Sequence, residues 1–473
     1  MKTLTMKFGG TSVGTPEAIQ QVAAIITETI DAGQRVVVVV SAMSGVTNSL
    51  LACIRAAVGG DKWEYSSLSR SIRNRHVDTV NLLMEASTER DAIIESIHEL
   101  MDQQLQLCDA INILGEATPR IKDALVSFGE RLSSRLIAAV LAQRGVLAEA
   151  YTGSDFILTN DNYQNAEPLW PETEKRIREG LLPDIHAGIT PVITGFIGAA
   201  PDGSITTLGR GGSDFSAAIF AAYTDSDELI IWTDVDGVMT TDPRLDRRAR
   251  VLPYVSYSEV GEMAYYGAKV LHPKTVQPII QRGIAMRVRN TFNVQHPGTL
   301  IGAEQEHSAT VLKAVTCVRS VSMLTIAGKG MLGVPGIAGR TFLASAQAGA
   351  NILMISQSSS EQSFCFTVTD DRAQAVKDAV ESELAAEIGY QDVDGVDVLS
   401  EVVIVTAVGA GMRHQPGVAG RIFTVMGDHG VNVLAIAQGS SECSISFVID
   451  EADLDVAVAR LHDLALEATP QIN

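Results

Sequence analysis

Aromatic residues supply only 5% of this 473-residue chain, and cysteine is scarcer still, at five residues. Cys53, Cys108, Cys317, Cys365 and Cys443 are scattered without CxxC spacing, and their number is odd. That pattern argues against a zinc site and for a reducing compartment. The chain shows no opening apolar stretch of signal-peptide character and no later run of membrane-spanning length. A cytoplasmic setting with no membrane contact is therefore expected. Basic side chains are in deficit, 36 against 56 acidic ones, for a formal net charge of -20. Such a chain gains no general electrostatic help toward nucleic acid, whose binding depends on neutralising phosphates. Any phosphate must be held by a local constellation, and no GxxxxGK[ST] loop supplies one.

What the chain does have is aliphatic residues, 46% of it being apolar, and 40 glycines. This suits an α/β protein whose buried parallel strands read as aliphatic runs, such as residues 36–40. The length suggests two to four domains. The first 50 residues read strand, helix, strand, through "LTMKFGG", a helix to Ala32 and "QRVVVVVSAMS", a right-handed βαβ unit. From Glu64 to Asn112 the segments turn long and polar, with Ile93, Ile97, Leu100, Leu105 and Cys108 on one helical face. This reads as a helical elaboration rather than a catalytic element. Alternation then resumes, and the turn-rich residues 293–309 make the best linker.

Beyond the linker the chain repeats itself. "GMLGVPGIAGRTFLASAQAGANILMISQSSSE" at 330 recurs without a gap as "GMRHQPGVAGRIFTVMGDHGVNVLAIAQGSSE" at 411. Gly336, Asn351, Gln357 and Glu361 align with Gly417, Asn432, Gln438 and Glu442. Two copies of one supersecondary unit are implied. The second copy runs out of chain before a closing strand, whereas "TVLKAVTCV" (310–318) is spare upstream. The first unit is thus expected to be inserted within the second. The GxGxxG match "GKGMLG" at 328 is rejected as a dinucleotide site, because its repeat partner "GAGMRH" lacks the third glycine.

Two glycine-rich stretches carry the chemistry. "MKFGGTSVG" (6–14) places Lys7, Gly9 and Gly10 between a strand and a helix that Thr11 or Ser12 could cap. "TTLGRGGSDFSAA" (206–218) leads through Gly209, Arg210, Gly211 and Gly212 into a helix that opens with Ser213 and Asp214. Helix N-termini favour anions, and an arginine fork matches a carboxylate or phosphate. Asp214 would suit such a place only with a metal or lysine between. The first stretch alone would equally make an ordinary strand-to-helix turn. "IIWTDVDGVMTTDPR" (230–244) puts Thr233, Asp234, Asp236 and Asp242 after a buried strand, where open α/β sheets bind ligands. Asp236 reads as a turn residue, and the others are open between Asx turns and water-mediated Mg²⁺ contact. "YYGAKVLHPKT" supplies Lys269, and His272 reads as structural. In "SFGERLSS", Glu130 and Arg131 would by pattern form a surface ion pair.

Together "KFGGTSV", "VSAMSGVTN", "SFGERLS", "ITGFIG", "TTLGRGGSD", "WTDVDGVMTTDPR" and "GAKVLHPKT" resemble the aspartokinase family in order and content. The resemblance spans essentially the whole chain. It implies an α/β amino-acid-kinase fold over residues 1–305, followed by two α+β ACT-type, ferredoxin-like domains, 319–395 and 309–318 plus 396–467. The implied activity is phosphorylation of the L-aspartate side-chain carboxylate by ATP and Mg²⁺, the first step toward lysine, threonine and methionine. Lys7, Arg210, Asp214 and Lys269 would be catalytic. Ser41, Thr47, Glu130, Arg210, Gly211, Gly212 and Ser213 would bind substrate, with Glu130 at its ammonium and Arg210 at its α-carboxylate. Lys7, Gly9, Gly10, Thr233, Asp234, Met239, Arg244, Lys269 and Val270 would serve the nucleotide, and no residue set is assigned to a metal. Met239 departs from an aromatic residue common there, and a thioether cannot stack like a ring. A carboxylate is already ionised at neutral pH, so no general base is needed. Related kinases acting on other carboxylates, and an inactive amino-acid sensor, are the competing readings. With the chain stopping soon after the second repeat, the homoserine dehydrogenase domain that some family members append is expected to be lacking, and the resemblance implies a homodimer or larger assembly through the ACT units. Asn351, Gln357, Asn432 and Gln438 would bind an amino-acid effector. The amides suit a threonine hydroxyl, Glu361 and Glu442 keep lysine open, and a purely structural dimer would use the two Asn in turns.

Overall fold

The aliphatic segments at the start of the chain become the middle of a sheet because strands buried on both faces need apolar residues throughout. The computed structural model describes residues 1–267, 271, 273–304, 310, 312–331, 334–357, 362–409, 412, 415–439 and 442–466. It holds two compact units. One comprises Met1–Val238, Pro253–Tyr257 and Val270–Glu304, the other Met239–Leu252, Ser258–Lys269 and Gln305–Asn473. Two segments numbered below 305 therefore pack with the repeats.

The first unit is built on strands β1 (Thr3–Phe8), β2 (Arg35–Val40), β3 (Ala148–Tyr151), β4 (Thr190–Thr194), β7 (Glu228–Thr233), β8 (Tyr254–Ser256), β9 (Ala285–Asn290) and β10 (Thr299–Gly302). A separate antiparallel pair, β5 (Ile197–Ala199) and β6 (Ile205–Thr207), stands beside them. The large sheet runs β3-β4-β2-β1-β7-β9-β10-β8. Every neighbouring pair in it is parallel except β9 with β10. Register aligns the strand ends: Phe8 lies opposite Val40 on one side and Trp232 on the other. Leu4, Met6, Phe8, Val36, Val38 and Val40 share one core with helices Pro16–Asp31 and Phe128–Gln143. Alternation turns Thr5 and Lys7 to the opposite face, where helix Gly212–Tyr223 packs with its small Ala-rich surface. Thr15, rather than Thr11 or Ser12, caps the first helix by accepting the Ala18 amide. Ser12 instead shares a 2.7 Å hydrogen bond with Thr291.

The second unit carries one six-stranded sheet in the order β12-β13-β11-β14-β16-β15. Its strands are β11 (Ala314–Ala327), β12 (Met354–Gln357), β13 (Ser363–Thr369), β14 (Gly395–Val408), β15 (Ala435–Gln438) and β16 (Ser444–Asp450). The spare segment before the first repeat is continuous with that repeat's own first strand. Residues 314–318 of β11 pair with 404–408 of β14, and 323–327 pair with 395–399. The register shifts between the two halves, where Ser320 and Glu401 adopt positive φ of 57° and 59°, as bulges require. Leu312 and Val315 lie in the core of the second repeat, and Leu324, Ile326 and Val396 in that of the first. Buried His462 binds Asp246 at 2.8 Å and Thr240 at 2.8 Å through its two ring nitrogens. This ties the segment Met239–Leu252 into the unit. All five cysteines are free, and Cys53 and Cys108 meet in one buried cluster. Among the described residues no helix is long and apolar enough to cross a membrane.

Asp123 anchors the strand that feeds the second glycine loop. It is 1% exposed and accepts the Gln164 amide at 2.8 Å, and the Thr207 amide and hydroxyl at 2.9 Å each. Burial raises its carboxyl above the ordinary range, against those three donors. Asp123→Ala should destabilise the first unit by about 3 kcal/mol, because it orphans the buried Thr207 amide and removes the charge-assisted bonds to the Gln164 amide and the Thr207 hydroxyl. Urea unfolding monitored by circular dichroism measures this.

Candidate active site

Lys7 sits one residue from the end of the central strand, 9% exposed, and its ammonium must find a counter-charge. Its Nζ lies 2.5 Å from Asp214 Oδ1, in the first turn of helix Gly212–Tyr223. A carboxylate there also suits the positive end of the helix dipole. Three loops leave the sheet beside this pair, each latched to a neighbouring strand end. The Gly9 amide donates to Trp232 O (3.1 Å), the Ser41 amide to Phe8 O (3.1 Å), and the Gly195 amide to Val40 O (2.9 Å). Between them opens a cleft of about 330 Å³. Lys7, Gly10, Ser41, Thr47, Glu130, Gly211, Gly212, Ser213 and Asp214 all line it. Six of the seven positions expected at the substrate thus share one cleft with Lys7, Gly10 and Asp214. Arg210 is exposed, on the loop between lining residues Gly209 and Gly211. Gly211 has φ of 70° and caps the helix in the left-handed region, which a side chain would strain.

Glu130 is not half of a surface ion pair. It is 4% exposed, and among the described residues its Oε2 has no hydrogen-bond partner. Arg131 turns elsewhere, its guanidinium 4.8 Å over the Phe128 ring. Gly129 allows this burial: a Cβ there would lie 2.7 Å from Ala42 Cβ. Burial lifts the Glu130 carboxyl to about 7, while the Ala42 amide, its own amide and the Lys7 charge pull it down. An unsatisfied carboxylate aimed into a cleft that also holds a lysine is equipped to receive a cation. Phe196 also lines the cleft, at a positive φ of 69°. It was legible only as the bulky residue inside "GFIG", and strain of this kind clusters at functional sites.

The other expected positions are dispersed. Thr233 ends β7 and donates to exposed Asp234 at 3.2 Å. Asp236 closes no turn of its own, accepting instead from the Asn290 and Asn293 side chains at 2.8 and 3.0 Å. In the second unit, half-buried Met239 bridges to Val251, and Arg244 pairs with Asp242 at 2.5 Å. Lys269, Val270, His272 and Glu361 lie outside the described residues. Gln357 and Gln438 end β12 and β15, and with Asn351 and Asn432 they are exposed. The Tyr265 hydroxyl, expected at no site, donates to Ile352 O beside Asn351 at 3.1 Å.

The glycine-lined strand ends have close counterparts. The model described as "Amino acid kinase family" matches residues 2–290. The chain belongs to the amino acid kinase family. A model described as "ACT domain" matches residues 324–384 and 405–464, so this family member carries a duplicated ACT region. Its relatives are aspartokinases. The bifunctional aspartokinase/homoserine dehydrogenase 1, chloroplastic, of Arabidopsis thaliana is 36% identical over 96% of this chain and 50% of that protein. Aspartokinase 1, chloroplastic, of the same plant is 34% identical over 98% of this chain and 80% of that one. E. coli aspartokinase III is 30% identical in two crystal structures. The complex with aspartate and ADP (R-state) has a TM-score of 0.84 over 98% of this chain and 100% of that one. The complex with lysine and aspartate (T-state) has a TM-score of 0.79 over 99% and 100%. The chain spans about half the length of the bifunctional relatives it matches. The amino-acid-kinase fold with C-terminal ACT domains, expected from the motifs, is the fold observed.

Glu130 gives the kinase unit a pH signature. Between the ordinary Glu range and about pH 7 the folded chain holds a proton that the unfolded chain has released, so rising pH lowers stability there. Glu130→Gln removes that loss. Relative to wild type, the variant should gain on the order of 2–3 kcal/mol between about pH 5 and 7 and nothing further above. Urea unfolding at a series of pH values checks it, and parallel curves would show that Glu130 does not titrate in this window.

Proposed function

We propose that the chain transfers the γ-phosphoryl group of ATP to the side-chain carboxylate of L-aspartate, giving 4-phospho-L-aspartate and ADP. The observation that carries this reading is the single cleft shared by the Lys7–Asp214 pair and the buried, under-satisfied Glu130. The aspartate and ADP bound by E. coli aspartokinase III support it. The substrate carboxylate oxygen forms the new bond to phosphorus as the bond to the β-bridging oxygen breaks, and no proton need move. Two anions must meet, so the chain's task is positioning and neutralisation. Lys7 supplies charge beside the Gly9 and Gly10 amides, Glu130 receives the substrate ammonium, and Arg210 takes the α-carboxylate. Ser41, Thr47, Gly211, Gly212 and Ser213 complete the substrate set. Thr233, Asp234, Met239, Arg244, Lys269 and Val270 remain the proposed nucleotide set, with Lys269 as a second catalytic cation.

A Mg²⁺ would arrive on the phosphates and keep several of its waters. Asp214, which pairs with Lys7 in the cleft, would face it. When bound, the ion would supply positive charge to the phosphates. The free thiols support a reducing, cytoplasmic setting. The edge strands β12 and β15 expose Ile355 and Ile436, which supports pairing between copies through the ACT units.

Trapping the acyl phosphate with hydroxylamine tests the activity. Hydroxamate should form only with both aspartate and ATP, and Lys7→Ala should fold yet lose at least about a hundredfold in kcat, as for a lost partner of developing charge. Hydroxamate from another carboxylate substrate in preference to aspartate would overturn the assignment.

For the effector we propose threonine, held by Gln357 and Gln438 with Asn351 and Asn432, because an amide both donates to and accepts from a hydroxyl. Lysine is the second reading, favoured by the lysine complex of E. coli aspartokinase III and by Glu442. Titrating each amino acid separately into the assay decides between them. Threonine should inhibit, and Gln438→Ala should raise the half-inhibiting concentration at least about tenfold. Inhibition by lysine alone would replace the effector, and indifference to both would leave the repeats a structural role.

A further inference from the structure

Arg75 lies on helix Lys62–Leu83, in the stretch that reads from sequence as mere elaboration. Its two terminal nitrogens leave their own helix and grip two separate loops. Nη1 donates to Ser44 O at 2.7 Å and Nη2 to Gly14 O at 2.7 Å. The two carbonyls are equivalent in the fold. Gly14 precedes Thr15, the N-cap of helix Pro16–Asp31, and Ser44 precedes Gly45, the N-cap of helix Val46–Val58. Both helices follow loops that feed the cleft, and Gly10, Ser44 and Gly45 line it. The loops already touch, through the Ser44 amide to Gly10 O at 3.0 Å. Ile72 and Val80 anchor the Arg75 helix in the core shared with β1 and β2.

We propose that Arg75 is a positioning residue for phosphoryl transfer, locking the Lys7 loop and the Ser41–Gly45 loop in fixed mutual register. A planar fork with several donors can span two carbonyls, and a lysine ammonium, a point charge, holds one well. The kinetic consequence rests on the aspartate kinase reading. The structural consequence, two loops loosened together, does not.

The test uses the full chain carrying Arg75→Ala or Arg75→Lys, with Arg70→Ala, from the same open groove, as control. Amide hydrogen exchange comes first and requires no substrate. In Arg75→Ala, residues 9–14 and 41–46 should both exchange at least about tenfold faster while β1 and β2 keep their protection, and unchanged exchange in either loop overturns the proposal. In the hydroxamate assay Arg75→Ala should lose about tenfold or more in kcat, with both KM values moving less than threefold, as a misplaced reacting geometry predicts. Arg75→Lys should fall between, methylguanidinium should restore part of the Arg75→Ala loss, and Arg70→Ala should stay within twofold of wild type. Wild-type kcat in Arg75→Ala, a loss confined to KM, or a loss matching the unfolded fraction by circular dichroism each overturns it. If Arg75→Ala does not fold, Arg75→Lys decides by the same two readouts. If the wild-type chain shows no aspartate-dependent turnover, the kinase reading fails, and the exchange data still decide whether the clamp exists.

Discussion

A lysine on the central strand of a buried sheet is the constraint around which the first unit is arranged. Lys7 is flanked in register by Val39 and Ile231, and an ammonium among such residues must be compensated. Compensation comes from Asp214, which obliges helix Gly212–Tyr223 to begin directly over the end of β1. The glycine loop before that helix, the cradle around Gly10, and the third loop at Gly195 then have little freedom in where they run. The pair also sets the electrostatics of the cleft. Asp214 neutralises Lys7 locally, so Glu130 across the cleft feels burial more than it feels cation, and its carboxyl rises toward neutrality. A ligand carrying an ammonium and several anionic oxygens would reverse both effects.

The parts of the fold legible in the sequence were those fixed by local pattern. Aliphatic runs became β1 and β2, and Gly336 and Gly417, aligned in the repeats, cap equivalent helices at φ of 95° and 90°. Contacts distant in sequence were not legible. Thr11, Ser12 and Thr15 all have capping chemistry, and Thr291, 279 residues from Ser12, draws Ser12 away. Asp236 looks like a turn residue until β9 brings Asn290 beside it. Glu130 looks like a surface charge because nothing in "SFGERLS" announces that Gly129 lets its helix press on Ala42. Arg75 carries no local signal at all, since its partners are backbone carbonyls, which every residue has. Met239–Leu252 meets the second unit through partners far along the chain, among them His462, more than 200 residues downstream, and the Val315 amide.

The second unit shows a different economy. Its two repeats have separate apolar cores, yet both are built on β11 and β14, each half of which serves a different core. Propensity reads such a strand as two short ones, because the polar break around Ser320 looks like a loop. The ladder continues across it only because a paired irregularity, Ser320 against Glu401, absorbs the change of register.

That paired irregularity also describes how one repeat is grafted into the other. Residues 318 and 404 are ladder partners, and 321 and 402 are partners one step further on. Cut at Ser320 and Glu401, the chain would need only a tight hairpin to close the second repeat on itself. Seen this way, the first repeat occupies the tip of a β-hairpin, the place where a fold accepts an inserted domain with least disturbance. Pulling on either long strand nonetheless loads both cores at once, so the duplicated unit behaves as a beam with two bearings rather than as beads on a string.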